Sequence, residues 1–175
     1  GGCRRHVLDS LWPHGRCIRQ HLEIRTTPGG RLVNNNHYFS NLLGLLLLGG
    51  ALSMDREGRN WWTWSRQRIQ SEFILQVHEE GSDFESSLPY HRLMMEMGAL
   101  AALGLFGMGN PPSRKMLHRL HRGLRLLEHA VQPDGSLPQL GDSDDGRVLP
   151  LADYFLPRNG GQEMWGRWRR LLFHG

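Results

Sequence analysis

Three short polar segments of the sequence carry side chains that can do acid–base or electrostatic chemistry. The first, 34–38, sets three asparagines, an imidazole and a phenol directly before a leucine-rich stretch. If that stretch is a helix, Asn36 and His37 lie at its N-terminus, where unpaired backbone N–H groups favour a bound carboxylate. Taken alone, the segment has a simpler explanation, in which Asn36 caps the helix and His37 packs against it.

The second segment, 79–92, ends in a proline, a tyrosine, a histidine and an arginine. Pro89 suits the first turn of a helix. Tyr90 then presents a phenol that can give or accept a proton, close to the positive charge of Arg92. The simpler alternative is that Glu85 and Ser86 only cap the helix and that Tyr90 packs in the core.

The third segment, 141–147, holds three aspartates between glycines and ends in Arg147. It lacks the twelve-residue spacing and the closing glutamate of a calcium-binding EF-hand loop. We therefore expect no metal here. The aspartates are better explained as residues that hold turns, orient Arg147 or line the wall of a groove.

The periodicity of apolar residues predicts that helices position these segments. Leucines surround the stretch 36–52 on nearly every side, which predicts an inner helix covered by its neighbours. Strand patterns are almost absent, so the predicted class is all-α, built from antiparallel helical hairpins in a bundle, a solenoid or a toroid. The predicted helices span 7–24 with an interruption at Pro13 and Gly15, 36–52, 59–77, 88–106, 113–131 and about 163–172.

Composition narrows the class of partner. The 175 residues fit one domain and carry a net charge of +4, with twenty arginines and one lysine. Arginine suits carboxylate, sulfate and phosphate groups, but no nucleic-acid-binding motif is present, so we expect no nucleic-acid partner. The longest uncharged apolar run, 39–52, has fourteen residues against the roughly 20 that a membrane span needs, which predicts no membrane insertion. Oligomeric state does not follow from these features.

The three segments in this order resemble the helical domain of the heparinase II/III-like polysaccharide lyases. The resemblance covers about 8–147 and is carried by NNNHYFSNLLGLLLLG, HEEGSDFESSLPYHRLMMEM and PDGSLPQLGDSDDGR. It implies a partial (α/α) toroid of antiparallel helical hairpins. We expect 1–175 to be a single helical domain, a fragment of such a toroid without the β-sandwich that usually follows it.

The resemblance also implies a reaction and a set of site residues. Family members cleave uronate-containing polysaccharides by β-elimination, without a cofactor. Asn36 matches the amide that neutralises the uronate carboxylate, His37 matches a histidine that assists, and Tyr90 matches the general acid. Further substrate contacts are expected from Asn35, Glu85, His91, Arg92, Asp142, Asp144 and Arg147.

Two other functions remain open from the sequence. The first is a toroid that binds an acidic glycan without cleaving it. The second is a glycoside hydrolase in which Glu85 pairs with Asp142 or Asp144 across the scissile bond. All three functions imply a polysaccharide partner, and a polymeric substrate outside the cytoplasm would place the protein in the periplasm or outside the cell.

Overall fold

Five helices make up most of the part of the chain that the structure describes. The computed structural model describes residues 2–30 (side chains from residue 6), 33–133, 136–143, 146 and 148. Within these ranges it contains no β-strand, and the helices are α1 (Gly2–Gln20), α2 (Asn36–Ala51), α3 (Arg56–Gln76), α4 (Leu88–Gly107) and α5 (Arg114–Ala130). The prediction of an all-α class is confirmed, while the predicted final helix near 163–172 lies outside the described residues.

Helix α1 corrects one expectation from the sequence. It continues through Pro13 and Gly15 without the predicted interruption. Gly15 allows the ring of Trp61 on α3 to lie directly against the α1 backbone, where any side chain would collide with it. Trp12 adds a ring contact to Trp61, with centroids 5.4 Å apart. Packing of Trp12 against the Trp61 ring, and of that ring against the α1 backbone, offsets the helix hydrogen bond that a proline removes.

Side-chain caps fix where the other helices begin. Asn35, not Asn36 as predicted, is the N-cap of α2, and its side chain accepts from the backbone N–H of His37. Ser87 caps α4, so neither Glu85 nor Ser86 has that role. Ser113 caps α5 by accepting from the backbone N–H of Met116. Each cap satisfies a backbone donor that the first helical turn leaves without a partner.

Helices α2 and α3 form an antiparallel hairpin with very close backbones. At one end, Gln76 Nε2 donates to the backbone oxygen of Asn35 (2.9 Å). At the other end, a Cβ on Gly49 would lie 2.9 Å from the Gly58 oxygen and would overlap the backbone of Trp62. The absence of a side chain at Gly49 therefore sets how closely the two helices pack.

Alternate helices run in the same direction. The start of α2 meets the segment before α4 through Asn36 and Glu85, and later in both helices Leu46 packs near Gly104. In the same way, the backbone N–H of Ser113 before α5 donates to Gln70 of α3 (2.8 Å), and further along both helices Arg119 donates to the backbone oxygens of Ile74 and Val77. Parallel alternate helices are consistent with stacked helical hairpins of the predicted toroid kind.

The two apolar helices form the centre of the core. Helices α2 and α4 carry most of the fully buried leucines, methionines and alanines, and α3 and α5 cover them with one buried face each. Phe39 of α2 and Phe73 of α3 make a tilted ring contact at 5.8 Å. The prediction of an inner helix at 36–52 is confirmed.

Charged contacts fasten α1 to α3 beside the tryptophans. Arg16 binds Glu57 through both carboxylate oxygens, with a shortest distance of 2.8 Å. The guanidinium groups of Arg19 and Arg68 lie 4.5 and 4.4 Å from the centroid of the Trp64 ring. Arginine over an indole ring is a favourable cation–π geometry.

The close approach of α2 and α3 makes a direct prediction about stability. Replacing Gly49 with alanine places a methyl group against the backbone of α3, and we expect it to lower the free energy of unfolding by about 1–3 kcal/mol. Gly107 is the matched control, because a Cβ there meets nothing within 4 Å. Gly107→Ala should be neutral or slightly stabilising. Urea unfolding of both variants measures the difference, and equal stability of the two would contradict this packing.

Candidate functional site

The parallel course of α2 and α4 brings both helix N-termini to one end of the fold. Asn36, the first residue of α2, donates from Nδ2 to Glu85 Oε2 at 3.4 Å. Asn36 is 6% exposed, and its Oδ1 has no hydrogen-bond partner among the described residues. The amide and the carboxylate therefore lie together where two helix dipoles are positive.

Glu85 is the electrostatic centre of this end. Its partial burial raises the pKa of its carboxyl, and Asp142 raises it further. The backbone N–H of Asn36, followed by nearby His37 and Arg25, offsets part of the rise. The structure thus brings together four of the residues predicted from sequence, and it adds Arg25, which the sequence analysis did not select.

His37 and Asn35 lie on the exposed side of the same helix start. The imidazole Nδ1 of His37 is 3.3 Å from Glu23 Oε2, and both side chains are about half exposed. Asn35 uses its side-chain oxygen to cap α2 (3.3 Å to the His37 N–H). His37 is therefore accessible from solvent, whereas Asn35 contributes chiefly to the start of the helix.

A buried amide and carboxylate network supports the segment before α2. Glu72 on α3 accepts from Asn34 Nδ2 (3.2 Å) and from Gln76 Nε2 (2.8 Å). Asn34 Oδ1 also accepts from the backbone N–H of Arg25 (3.1 Å). Sequence reasoning missed this network, because it joins residues up to 38 positions apart.

Tyr90 lies in the first turn of α4, close to the loop that carries Asp142. Its backbone N–H donates to the Ser87 hydroxyl (3.4 Å), and that hydroxyl donates to the backbone oxygen of Asp142. The Leu88 N–H donates to the Leu140 oxygen (2.9 Å). Tyr90 is half-buried. The loop 138–142 is therefore held against the start of α4.

Arg92 holds the continuation of that loop. Its Nη2 donates to the Gly146 backbone oxygen (3.3 Å), and its Nε lies 3.9 Å from Glu96 Oε1. Glu96 in turn accepts from the Val148 N–H (3.1 Å). These contacts place Arg92 as a residue that positions the loop. Asp144 and Arg147 of the same loop lie outside the described residues.

His91 faces α5 and not the helix start. It is 3% exposed, and its Nε2 lies 3.1 Å from the Gly123 backbone oxygen, while Nδ1 has no partner among the described residues. Burial lowers the pKa of His91, so the neutral imidazole is favoured. The position gives His91 a packing role between α4 and α5.

Asp83 is a buried acid that the sequence analysis did not select. It is 4% exposed, and neither carboxylate oxygen has a hydrogen-bond partner among the described residues. Burial, assisted by the charge of Glu85, raises the pKa of Asp83 to about 7. It lines a cavity of about 200 Å³ together with Ser86, Ser87 and His91. Ser86 has a left-handed backbone (φ 57°), which marks this loop as strained.

The arrangement favours binding of a carboxylate over binding of a metal. The start of α2, the amide of Asn36 and the protonated form of Glu85 offer hydrogen-bond donors to an anion, whereas the N–H groups at the start of α4 are already bonded to Leu140 and Ser87. In the part of the chain that the structure describes, no three histidine, cysteine or acidic side chains form a metal-binding group. Tyr90 and His37 supply groups that can transfer a proton at the same end.

The raised pKa of Asp83 predicts a pH-dependent stability. Between about pH 4 and 7 the folded protein binds a proton that the unfolded chain has lost, so Asp83 makes the free energy of unfolding fall as pH rises. Asp83→Asn removes this fall in the free energy of unfolding, because the asparagine side chain does not titrate. Urea unfolding at pH 5 and pH 8 should show the stability of the variant relative to wild type increasing by about 1–3 kcal/mol at the higher pH. A difference that does not change with pH would exclude the buried acid as its cause.

Comparison with known proteins connects this geometry to one family. No helix in the described ranges is both long and apolar enough to cross a membrane. No curated protein and no solved structure matches the chain. The family profile described as the heparinase II/III N-terminus matches residues 32–155, more than half of the chain, and this range includes both helix starts and the loop of Asp142. The chain therefore belongs to the heparinase II/III family of polysaccharide lyases, through the N-terminal domain of that family.

Proposed function

We propose that this chain binds a uronate-containing polysaccharide and contributes to its cleavage by β-elimination. The observation that carries the proposal is the contact between Asn36 and Glu85 at the N-termini of two parallel helices. These donors lie in a domain of a polysaccharide lyase family. The site therefore combines a place for a carboxylate with groups able to move a proton.

Elimination requires a base, an acid and donors that stabilise charge on the carboxylate. A base takes the proton on the carbon next to the uronate carboxylate, the electrons of that C–H bond form a carbon–carbon double bond, and the glycosidic oxygen leaves from the adjacent carbon with a proton from an acid. The C–H proton is only weakly acidic. Charge that develops on the carboxylate must therefore be stabilised by donors already in place.

Asn36, the start of α2 and Glu85 are suited to stabilising the charge that develops on the substrate carboxylate. The positive end of α2 favours negative charge. Because the pKa of Glu85 is raised, its carboxyl is protonated over a wider pH range than an exposed glutamate and can donate a hydrogen bond to a substrate carboxylate. A uronate bound at Asn36 would also meet the charges of His37 and Arg25.

Tyr90 is the residue to which we assign proton delivery to the leaving oxygen. A phenol is protonated at neutral pH, which fits the role of an acid. His37, half exposed at the start of α2, is positioned to assist in neutralising the carboxylate or in taking the proton. Arg92 fixes the loop beside Tyr90, and we assign it a positioning role.

The loop that follows α5 would form one wall of the substrate groove. Asp142 is exposed and lies close enough to Glu85 to affect its pKa. We keep Asn35, Asp142, Asp144 and Arg147 as proposed groove contacts. A polymeric acidic substrate also favours a periplasmic or extracellular location.

Tyr90→Phe tests the assignment of the acid. The variant keeps the ring and loses only the phenolic hydroxyl, so we expect turnover to fall about 10²–10⁴-fold with little change in binding. Tyr38→Phe is the matched control, because Tyr38 is buried in the core. The measurement is the ultraviolet absorbance of the unsaturated uronate product formed from heparan sulfate, hyaluronan, chondroitin or alginate.

The same assay separates the proposal from its alternatives. Absorbance that rises with wild type and with Tyr38→Phe, but not with Tyr90→Phe, supports elimination. New reducing ends without absorbance would indicate hydrolysis by paired carboxylates such as Glu85 and Asp142. Binding of a polymer without either product would indicate a glycan-binding domain.

Asn36→Ala tests the neutralising donor. It removes the amide beside Glu85, and we expect kcat to fall about 10²–10³-fold because the developing charge loses a preorganised donor. Asn60→Ala is the control, since Asn60 is exposed on α3. Steady-state kinetics and thermal melting of both variants distinguish lost catalysis from lost folding. A normal kcat in folded Asn36→Ala would remove Asn36 from the mechanism.

A further inference from the structure

Helix α5 concentrates positive charge on a surface outside the candidate site. It carries five of the chain's 21 lysines and arginines, three histidines and only one acid, Glu128. Arg119 is used internally, because it donates to the backbone oxygens of Ile74 and Val77 at the end of α3. The exposed basic residues are Arg114, Lys115, His118, Arg122, Arg125 and His129.

The second half of this helix lines a cavity of about 420 Å³. That volume is within the range of ligand-binding pockets, roughly 300–1,000 Å³. The lining consists of Glu80, His121, Arg122, Arg125, Leu126 and His129. Arg125 also lies 3.7 Å from Glu128 in a solvent-exposed ion pair, which costs little to rearrange.

The chemistry of the lining fits an acidic sugar. The guanidinium groups of Arg122 and Arg125 can each bind a carboxylate or sulfate through two hydrogen bonds. Glu80 accepts from the Ser82 hydroxyl at 3.0 Å, and this contact, its own backbone N–H and nearby Arg122 keep the pKa of its carboxyl low. The charged Glu80 can accept from sugar hydroxyls, and Leu126 offers an apolar surface for the C–H face of a ring.

The same lining disfavours phosphate-rich partners. Glu80 places a negative charge inside the cavity, where it would repel the closely spaced phosphates of a nucleic acid or an anionic membrane. A polysaccharide avoids this repulsion, because its acidic groups are separated by hydroxyls that Glu80 can accept from. We therefore expect the cavity, which combines cationic donors with one carboxylate, to favour an acidic polysaccharide over a nucleic acid or an anionic membrane.

The cavity on α5 adjoins the candidate site. Leu126 lines both this cavity and the smaller cavity formed by Asp83, Ser86, Ser87 and His91. Ser86 directly follows Glu85, the electrostatic centre at the helix starts. A polymer bound at Glu85 can therefore continue past Leu126 towards α5.

We propose that the cavity formed by Glu80, Arg122 and Arg125 is a subsite for an acidic sugar of the polysaccharide, further along the polymer from the residue bound at Asn36 and Glu85. The identity of the polymer rests on the proposed function. Binding at α5 is a separate property of the surface and can be measured without turnover.

The test removes the two guanidinium groups and compares the effect with that of an equal loss of charge elsewhere on the helix. Arg122→Gln/Arg125→Gln is the test variant. Arg114→Gln/Lys115→Gln is its control, with the same change in net charge about 13 Å away along α5. Isothermal titration with heparan sulfate, hyaluronan, chondroitin and alginate measures the affinity, and thermal melting confirms that both variants fold.

If the cavity is such a subsite, affinity for at least one of the four polymers should fall about tenfold or more in the test variant and less than twofold in the control. Glu80→Gln should also weaken binding of that polymer, since the neutral amide is a poorer acceptor for hydroxyl groups. Equal losses in the test and control variants would overturn the proposal in favour of general charge attraction. Tighter binding of Glu80→Gln to a DNA duplex or to vesicles containing phosphatidylserine than to all four polymers would also overturn it.

This subsite and the proposed reaction can fail independently. If no polymer yields unsaturated product but the test variant still loses affinity selectively, the elimination is wrong and the α5 subsite stands. If product forms in a Tyr90-dependent way while KM is the same in wild type, test and control variants, the reaction stands and the subsite is wrong.

Discussion

The parallel packing of two apolar helices is the constraint on which the rest of the structure depends. Helices α2 and α4 are buried on most sides, so each must be covered by neighbours, and α3 and α5 return antiparallel to do so. Parallel helices begin at the same end of a fold. Two positive helix termini therefore lie together, and the chain places polar residues there that would be costly in the core.

Acidic groups at that end are accommodated in different ways. Glu72 is fully committed to amides from Asn34 and Gln76, which makes it a structural acceptor. In the described part of the chain, Glu85 has donors from Asn36 alone and still has a raised pKa, which leaves its carboxyl able to respond to a ligand. The carboxyl oxygens of Asp83 have no hydrogen-bond partner among the described residues, and the group is mostly neutral below pH 7. The three carboxyl groups have similar intrinsic acidity. Their surroundings give Glu72 a structural role and raise the pKa of Glu85 and of Asp83.

Most of the fold could be predicted from sequence, because apolar periodicity and cap residues are local signals. The beginnings of α2, α4 and α5 were predicted within one residue, and the leucine-rich α2 is buried as expected. Pro13 was misleading, because packing of Trp61 against Gly15 keeps α1 continuous. The candidate site was located by its motifs, and its catalytic roles remain predictions. Periodicity could not show that His91 faces α5, or that Arg25 and Asp83 lie near Glu85, since these positions depend on contacts between distant segments.

The family match leaves out α1, but side-chain contacts join α1 to α3 inside the matched range. Helix α1 precedes the matched residues 32–155, yet Trp12, Arg16 and Arg19 attach it to α3 through indole rings and one ion pair. Leu8, Leu11 and Ile18 add apolar packing against the cluster of Leu45, Leu52 and Trp61. From His6 onward, most of the other side chains of α1 are exposed. Such an element can detach in a local opening that costs less than global unfolding. We expect amide hydrogens of α1 to exchange faster than those of α2 and α4, so that the helical core keeps its order when its outermost helix has opened.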